Sequence, residues 1–288
     1  MPSLSDLLPA LFPQELAPLF LVGLALAGAC IGSFLNVCIY RIPLGLSVVT
    51  PGSHCHACGR AIPGWWNIPV VSWLLLRGRA KCCGVRIDAR YAVVEAAMGI
   101  AFPLLFLRFP PLLAAVYALF VSGLLVASLI DIDHFIIPDR LSIGGALVGL
   151  GLGALVPTLH GAELAGKPWA GFNHALGGAF LGGFLLWVVV VVGSKALKKE
   201  AMGLGDVKLL AGIGAFLGWE AVLFVIVLSS FLGSFFGGAM LLLRKQVWGS
   251  RIPYGPFLAL AAVVWLFGGG TLWRLLFQWW RQGMAGVL

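Results

Sequence analysis

Five of the eleven acidic residues in this 288-residue chain, Glu95, Asp131, Asp133, Asp139 and Asp206, fall in or at the ends of long apolar runs. An ionisable side chain at membrane depth is costly, and it marks a functional position by default. Three of the aspartates lie in SLIDIDHFIIPDRLS (128–142), and Asp206 lies in GLGDVKLLAGIGAFLG (203–218). Two carboxylates a few ångströms apart cannot both ionise readily, so such a pair supplies an acid and a base near neutral pH. That is the chemistry of an aspartic peptidase, in which one carboxylate activates water and the other polarises the scissile carbonyl. No Ser or Cys shows a nucleophile elbow or a histidine partner at the same depth. Gly203 and Gly205 bracket Asp206, permitting unwound backbone and close approach of a substrate strand. Asp206 is expected where a helix N-cap would be, with the positive helix end favouring its ionised form. Plainer roles are also open: Asp139 as a cap of the next helix, Asp133 paired with Arg140, Glu95 paired with a nearby cation.

A second chemistry-bearing group is the cysteines. SHCHACGRAIPGWW places Cys55 and Cys58 at knuckle spacing, and RGRAKCCGVRI places Cys82 beside Cys83. In a reducing compartment four thiols favour a metal such as structural zinc over disulfides, and a segment this short lacks the apolar core to fold unaided. A second Cys-x-x-Cys would need a cysteine at position 80, which is Ala80; His54 or His56 could replace one thiol. Free thiols in a metal-free fold are the alternative. Cys30 and Cys38 read as small packing residues.

These groups must be positioned by membrane helices. The chain is 60% hydrophobic and 10% charged, with mean hydropathy +1.01, against roughly 25% charge in a soluble domain. The apolar runs reach the ~20 residues that span a bilayer and show no barrel alternation. The expected fold is an all-α polytopic membrane protein with about eight spans, near 17–39, 91–107, 111–130, 141–157, 172–194, 207–218, 220–243 and 256–280. Residues 1–40 would form a periplasmic N-terminus and first span, 41–90 a cytoplasmic cysteine module, and 91–288 the bundle. The first 16 residues hold Asp6 and Glu15 but no Lys or Arg, unlike a secretory signal.

With the N-terminus outside, fifteen of nineteen Lys and Arg residues fall in inner loops, leaving Arg108, Lys167, Arg274 and Arg281 outside. The net charge of +8 is therefore a topology signal and at most an attraction to anionic lipid, with no nucleic-acid role expected. The third span then ends inside at Asp131 and the sixth begins inside at Asp206, so the two depths match. Small-xxx-small pairs, Gly28/Gly32, Gly145/Gly149/Gly153, Gly178/Gly182 and Gly233/Gly237, suit close helix packing in lipid.

GSFLNVCIYRIP (32–43), the cysteine module running into RYAVVE (90–95), IDIDHFIIPD (130–139) and GLGDVKLLAGIGAFLG (203–218) stand in the order of the bacterial type IV prepilin peptidases, which the chain resembles from about residue 28 to IPYGPFLALA (252–261). The resemblance implies an inner-membrane enzyme that cuts the leader from type IV prepilins and type II secretion pseudopilins after a glycine. It then N-methylates the new terminus, usually phenylalanine, with S-adenosylmethionine. It assigns the catalytic pair to Asp131 and Asp206, and selects Asp131 over Asp133. The chain departs from the family's two Cys-x-x-Cys pairs at Ala80, which bears on the zinc and, through it, on methylation. Asn36 and Glu95 fall in matched blocks as supporting polar residues, and no Gly-rich loop places the S-adenosylmethionine site. A peptidase without methyltransferase activity and a proton-coupled transporter are the alternatives.

Overall fold

The computed structural model describes residues 16–198, 202–243, 252–273, 275, 278 and 279. The N-terminal segment through residue 15, the basic residues Lys199, Arg244, Lys245, Arg251, Arg274 and Arg281, and most of the end of the eighth expected span lie outside them. Among the described residues the structure is helical, with two isolated β-bridges and no strand. Its helices are α1 (Ala17–Arg41), α2 (Val71–Leu75), α3 (Ala89–Arg108), α4 (Pro111–His134), α5 (Asp139–Leu155), α6 (Pro168–Leu197), α7 (Leu204–Leu217), α8 (Trp219–Leu242) and α9 (Gly255–Val264, prolonged by a π-turn over Trp265–Gly269).

All eight expected spans fall on a helix. Six helices are long and apolar enough to cross a membrane; α5 with 17 residues and α7 with 14 are shorter. The chain separates into two compact units, residues 1–122 and 123–288, with the division inside α4.

In the first unit α1 packs on α3 through the expected glycines. A Cβ on Gly32 would lie 2.7 Å from the Glu95 Cα, and one on Gly28 would strike the Met98 carbonyl. Asp88 caps α3, its carboxylate accepting from the Arg90 N–H at 2.9 Å. Cys38 is buried as a packing residue should be, whereas Cys30 is exposed.

In the second unit α7 is the most enclosed element, with Asp206, Leu209, Leu210 and Gly212 through Phe216 all buried. Its glycine-rich sequence permits this: Gly178 of α6 and Gly214 of α7 meet backbone to backbone, and a Cβ on Gly182 would sit 2.6 Å from the Leu210 carbonyl. On the other side a Cβ on Gly149 of α5 would lie 2.8 Å from the Ala215 Cβ. Gly145 has open space around it and takes no part in this packing. Gly178→Val should therefore cost about 3 kcal/mol or more, the upper end of overpacking. Gly177→Val, where nothing lies within 4 Å, should cost little; melting of both variants in detergent checks the contrast.

Candidate active site and metal centre

The end of α4 carries the first aspartate. Phe135 takes a left-handed conformation (φ 55°) and its N–H closes on the Asp131 carbonyl at 2.9 Å, which stops the helix. The chain then runs through Ile136 and Ile137 to Pro138, whose extended geometry starts α5. Asp131 is buried, while Asp133 and His134 are exposed. Helical geometry explains the split, because residues two apart point to different faces.

Asp206 is not at the N-cap of α7. Gly203, extended at φ −73° and ψ 145°, holds that position, and Asp206 is the third helical residue, its N–H on the Gly203 carbonyl at 3.3 Å. One turn of helix is enough to bury it, and its Oδ1 has no hydrogen-bond partner. Its Oδ2 lies 3.7 Å from where a Gly203 Cβ would be.

Two contacts tie together the elements that carry the aspartates. The Gly255 N–H, at the start of α9, donates to Asp131 Oδ2 at 2.9 Å. Ile137 lies under both Gly205 and Gly255, its Cβ 3.1 Å and its Cδ1 3.2 Å from the respective Cβ positions. Tyr254 braces this corner, its hydroxyl 2.7 Å from buried Ser229 and 3.2 Å from Ser230. Asp139, expected as a cap, is instead the first residue of α5, and it accepts from Lys208 of α7 at 2.6 Å. Both are partly exposed, so this pair contributes at most about 1 kcal/mol and mainly fixes how the two short helices meet.

Gly255, Tyr254, Ile137 and Lys208 are the site residues that residue chemistry alone did not single out. The signal for the first two is the Pro-Tyr-Gly-Pro block (253–256) opening an apolar run. A Cβ on Gly255 would lie 2.9 Å from Asp131 Oδ2, so Gly255→Ala should lower kcat about 100-fold, the scale of a 1 Å misplacement. Gly233→Ala, with ordinary contacts from 3.5 Å, should not; steady-state cleavage assays distinguish them.

The four module cysteines do meet. Their sulfurs lie within 4.8 Å of one another, with Cys55 to Cys83 at 3.6 Å, Cys58 to Cys82 at 3.4 Å and Cys82 to Cys83 at 3.8 Å. Tetrahedral zinc with 2.3 Å bonds separates sulfurs by about 3.8 Å, so the donor set fits that ion, and no histidine joins it. His54 Nδ1 faces the Gly52 carbonyl at 2.9 Å, and the His56 ring sits on Tyr40.

Two knuckles of the same build supply the thiols. In the first, the Cys55 N–H bonds the Arg60 carbonyl and Gly59 (φ +69°) bonds back to Cys55, each at 2.8 Å. In the second, the Ala80 N–H bonds the Val85 carbonyl and Gly84 (φ +72°) bonds back to Ala80, again at 2.8 Å. Ala80 therefore occupies the place of Cys55, Cys83 that of Cys58, and Cys82 reaches in from the position matching Ala57. Backbone N–H groups of Cys58 and Ala57 lower the Cys55 thiol to about 6, while sharing with the Cys58 sulfur pushes Cys82 up to about 12. Metal uptake would release the Cys82 proton.

Of the remaining expected residues, Asn36 donates from its amide to the Tyr91 carbonyl at 3.1 Å. Glu95, expected to face a cation, instead accepts the Val70 N–H on Oε2 at 2.6 Å.

Comparison with known proteins places the chain. The profile of the Bacterial Peptidase A24 N-terminal domain matches residues 26–109, and that of the Type IV leader peptidase family matches residues 118–238. A protein of Stutzerimonas stutzeri named Prepilin leader peptidase/N-methyltransferase is 35% identical, over 85% of this chain and 89% of its own length. The chain belongs to the type IV leader peptidase family. A relative of the same name in Myxococcus xanthus (strain DK1622) is 40% identical, over 80% of this chain and 66% of its own length. A third, from Pseudomonas aeruginosa, is 36% identical over 90% of this chain and 94% of its own. No solved structure matches the chain. With its apolar helices, this leader peptidase family member is a multi-pass membrane protein.

Proposed function

We propose that this chain removes the leader of type IV prepilins and type II secretion pseudopilins and then N-methylates the new N-terminus with S-adenosylmethionine. The observation that carries the first half is the burial of two carboxylates, at the end of α4 and in the first turn of α7, beside glycines that both pack on Ile137, one bonded by a backbone N–H and the other with an unpartnered oxygen. The shared names of the relatives motivate the second.

In this reading Asp131 and Asp206 are the catalytic pair. Asp131 Oδ2 accepts the Gly255 N–H, which leaves the other oxygen to take a proton from water. Asp206 Oδ1, buried without a partner, is the natural donor to the scissile carbonyl. This reverses the roles drawn from the helix dipole alone, and the pair shares its proton as a unit. Gly203 leaves space beside Asp206 for the substrate backbone, whereas Gly205, expected to do the same, is packed on Ile137; Asp133 and Asp139 act at the rim. Residues 41–90 form a module held by Cys55, Cys58, Cys82 and Cys83 around structural zinc, and 91–288 supply the peptidase bundle. The protein sits in the bacterial inner membrane with the pair at the cytoplasmic face, where a basic leader meets an apolar pilin helix. Its partners are those pilins and the surrounding lipid.

Mass spectrometry of a type IV prepilin incubated with the purified protein and S-adenosylmethionine tests the whole reading. Loss of the leader with gain of one methyl group is the expected product. A cleaved but unmethylated product would remove the methyltransferase half, and no cleavage of several prepilins would remove the peptidase.

A further inference from the structure

The segment between α1 and α3 dips back to membrane depth. It leaves α1 at Arg41 and rejoins the spans at Ala89, where α3 starts. Glu95 lies six residues inside α3, about 9 Å into the span at 1.5 Å per residue. It faces Gly32 of α1, which is nine residues, or about 14 Å, from the end of that helix. At this depth Glu95 Oε2 accepts the Val70 N–H at 2.6 Å, so the chain descends alongside α3 before α2 (Val71–Leu75) begins. Two further contacts bring it back to the surface. Trp73 Nε1 donates to the Ile87 carbonyl at 3.2 Å, and the Ile87 N–H donates to the Gly78 carbonyl at 2.8 Å. Ile87 stands two residues before α3. The short helix α2 therefore lies between the level of Glu95 and the start of α3, and Arg77 and Arg79 flank a residue held at that start.

The residue types suit this depth. Ser72 is buried and takes the Ile68 N–H on its hydroxyl at 3.1 Å, while Trp73 is half-buried on Ile87. That leaves Val71, Leu74 and Leu75 facing outward, 44%, 60% and 72% exposed. Their i, i+3, i+4 spacing makes one apolar stripe. A helix lying in a bilayer interface buries such a stripe about 5–10 Å into the boundary of headgroups and acyl chains, the same interval that Glu95 and Ile87 set for α2. The charge complements an anionic leaflet. Residues 41–90 hold seven Lys and Arg against one acid, Asp88, and Arg77 and Arg79 stand exposed directly after the stripe. Their long stems can follow apolar surface while the guanidinium groups reach lipid phosphate.

We propose that α2 is an interfacial anchor: Val71, Leu74 and Leu75 insert among the lipid tails of the leaflet at this boundary, and Arg77 and Arg79 hold anionic headgroups. Glu95 sets the depth of the insertion from inside α3. The cysteine module is thereby held flat on the bilayer instead of swinging from two tethers. This surface depends on neither cleavage nor methyl transfer.

The test is photocrosslinking of the full-length protein carrying Leu75→p-benzoylphenylalanine, in nanodiscs of equal phosphatidylglycerol and phosphatidylcholine, with the adducts on residues 70–79 identified by mass. Leu75 is exposed, so the replacement leaves the packing intact, and size exclusion monitors the fold. Lipid adducts are expected, with phosphatidylglycerol captured at least about fivefold over phosphatidylcholine, the scale of one basic residue at an anionic surface. Adding Arg77→Gln and Arg79→Gln should bring the two lipids to near-equal capture while adducts still form. A crosslink to a second copy of the chain, or no lipid adduct in folded protein, would overturn the anchor. Equal capture of both lipids with the arginines present, or a preference that survives their loss, would overturn it as an anionic-lipid surface.

Discussion

Asp206→Asn leaves a prepilin uncut: its cleavage rate falls at least about 10⁴-fold, the upper end for one acid or base group, or about 5.5 kcal/mol of transition-state stabilisation. The substitution keeps the side chain's size in a tightly packed turn, so the loss reports chemistry and not unfolding. Asp131→Asn falls as far, although its remaining oxygen can still accept the Gly255 N–H. In the proposed dyad the two share one proton, so the double variant should be no worse than either single one. Asp133→Asn, on an exposed face one helical step away, loses less than tenfold. Single-turnover cleavage of one prepilin by all four variants measures this, and a loss concentrated in Asp133→Asn would transfer the catalytic role to that residue.

The second large effect concerns the metal. On the proposed zinc module, wild-type protein should carry one zinc per chain and Cys82→Ser near none, because the Cys82 sulfur joins the cluster where Ala80 offers no thiol. Ala80→Cys should make Cys82 dispensable, since the backbone at Ala80 already repeats that at Cys55. The double variant Ala80→Cys with Cys82→Ser should therefore bind zinc again, through Cys55, Cys58, Cys83 and the introduced thiol. Elemental analysis after dialysis against a weak chelator reads this directly. Zinc retained by Cys82→Ser alone, or not regained by the double variant, would mean that the second knuckle does not ligate as its geometry requires.

Much of this was legible before any coordinates. The apolar runs located every long helix, because the bilayer sets a length and forbids unpaired backbone. A common depth for Asp131 and Asp206 was expected from counting spans. What remained hidden depends on contacts between residues far apart in the chain. Nothing local at Gly255 announces that its N–H will meet a carboxylate 124 residues away, and nothing at Val70 announces Glu95. The N-cap expectation for Asp206 failed for a different reason. Gly203 and Asp206 both suit a helix start, and the backbone gave the cap to the glycine, which moved the acid inside the first turn. The spacing of the second cysteine pair also misled, since pattern alone shows a missing ligand where the fold shows a neighbour reaching in.

The shortness of α7 has a meaning for hydration. Its 14 residues rise only about 21 Å, some 9 Å less than a hydrocarbon core of about 30 Å. Trp219, a residue type that favours the membrane interface, follows its far end, so the shortfall collects at the Asp206 end. In the proposed orientation the carboxylates lie at the floor of a dent in the membrane surface, and the water that hydrolysis consumes reaches them from the aqueous side without crossing lipid.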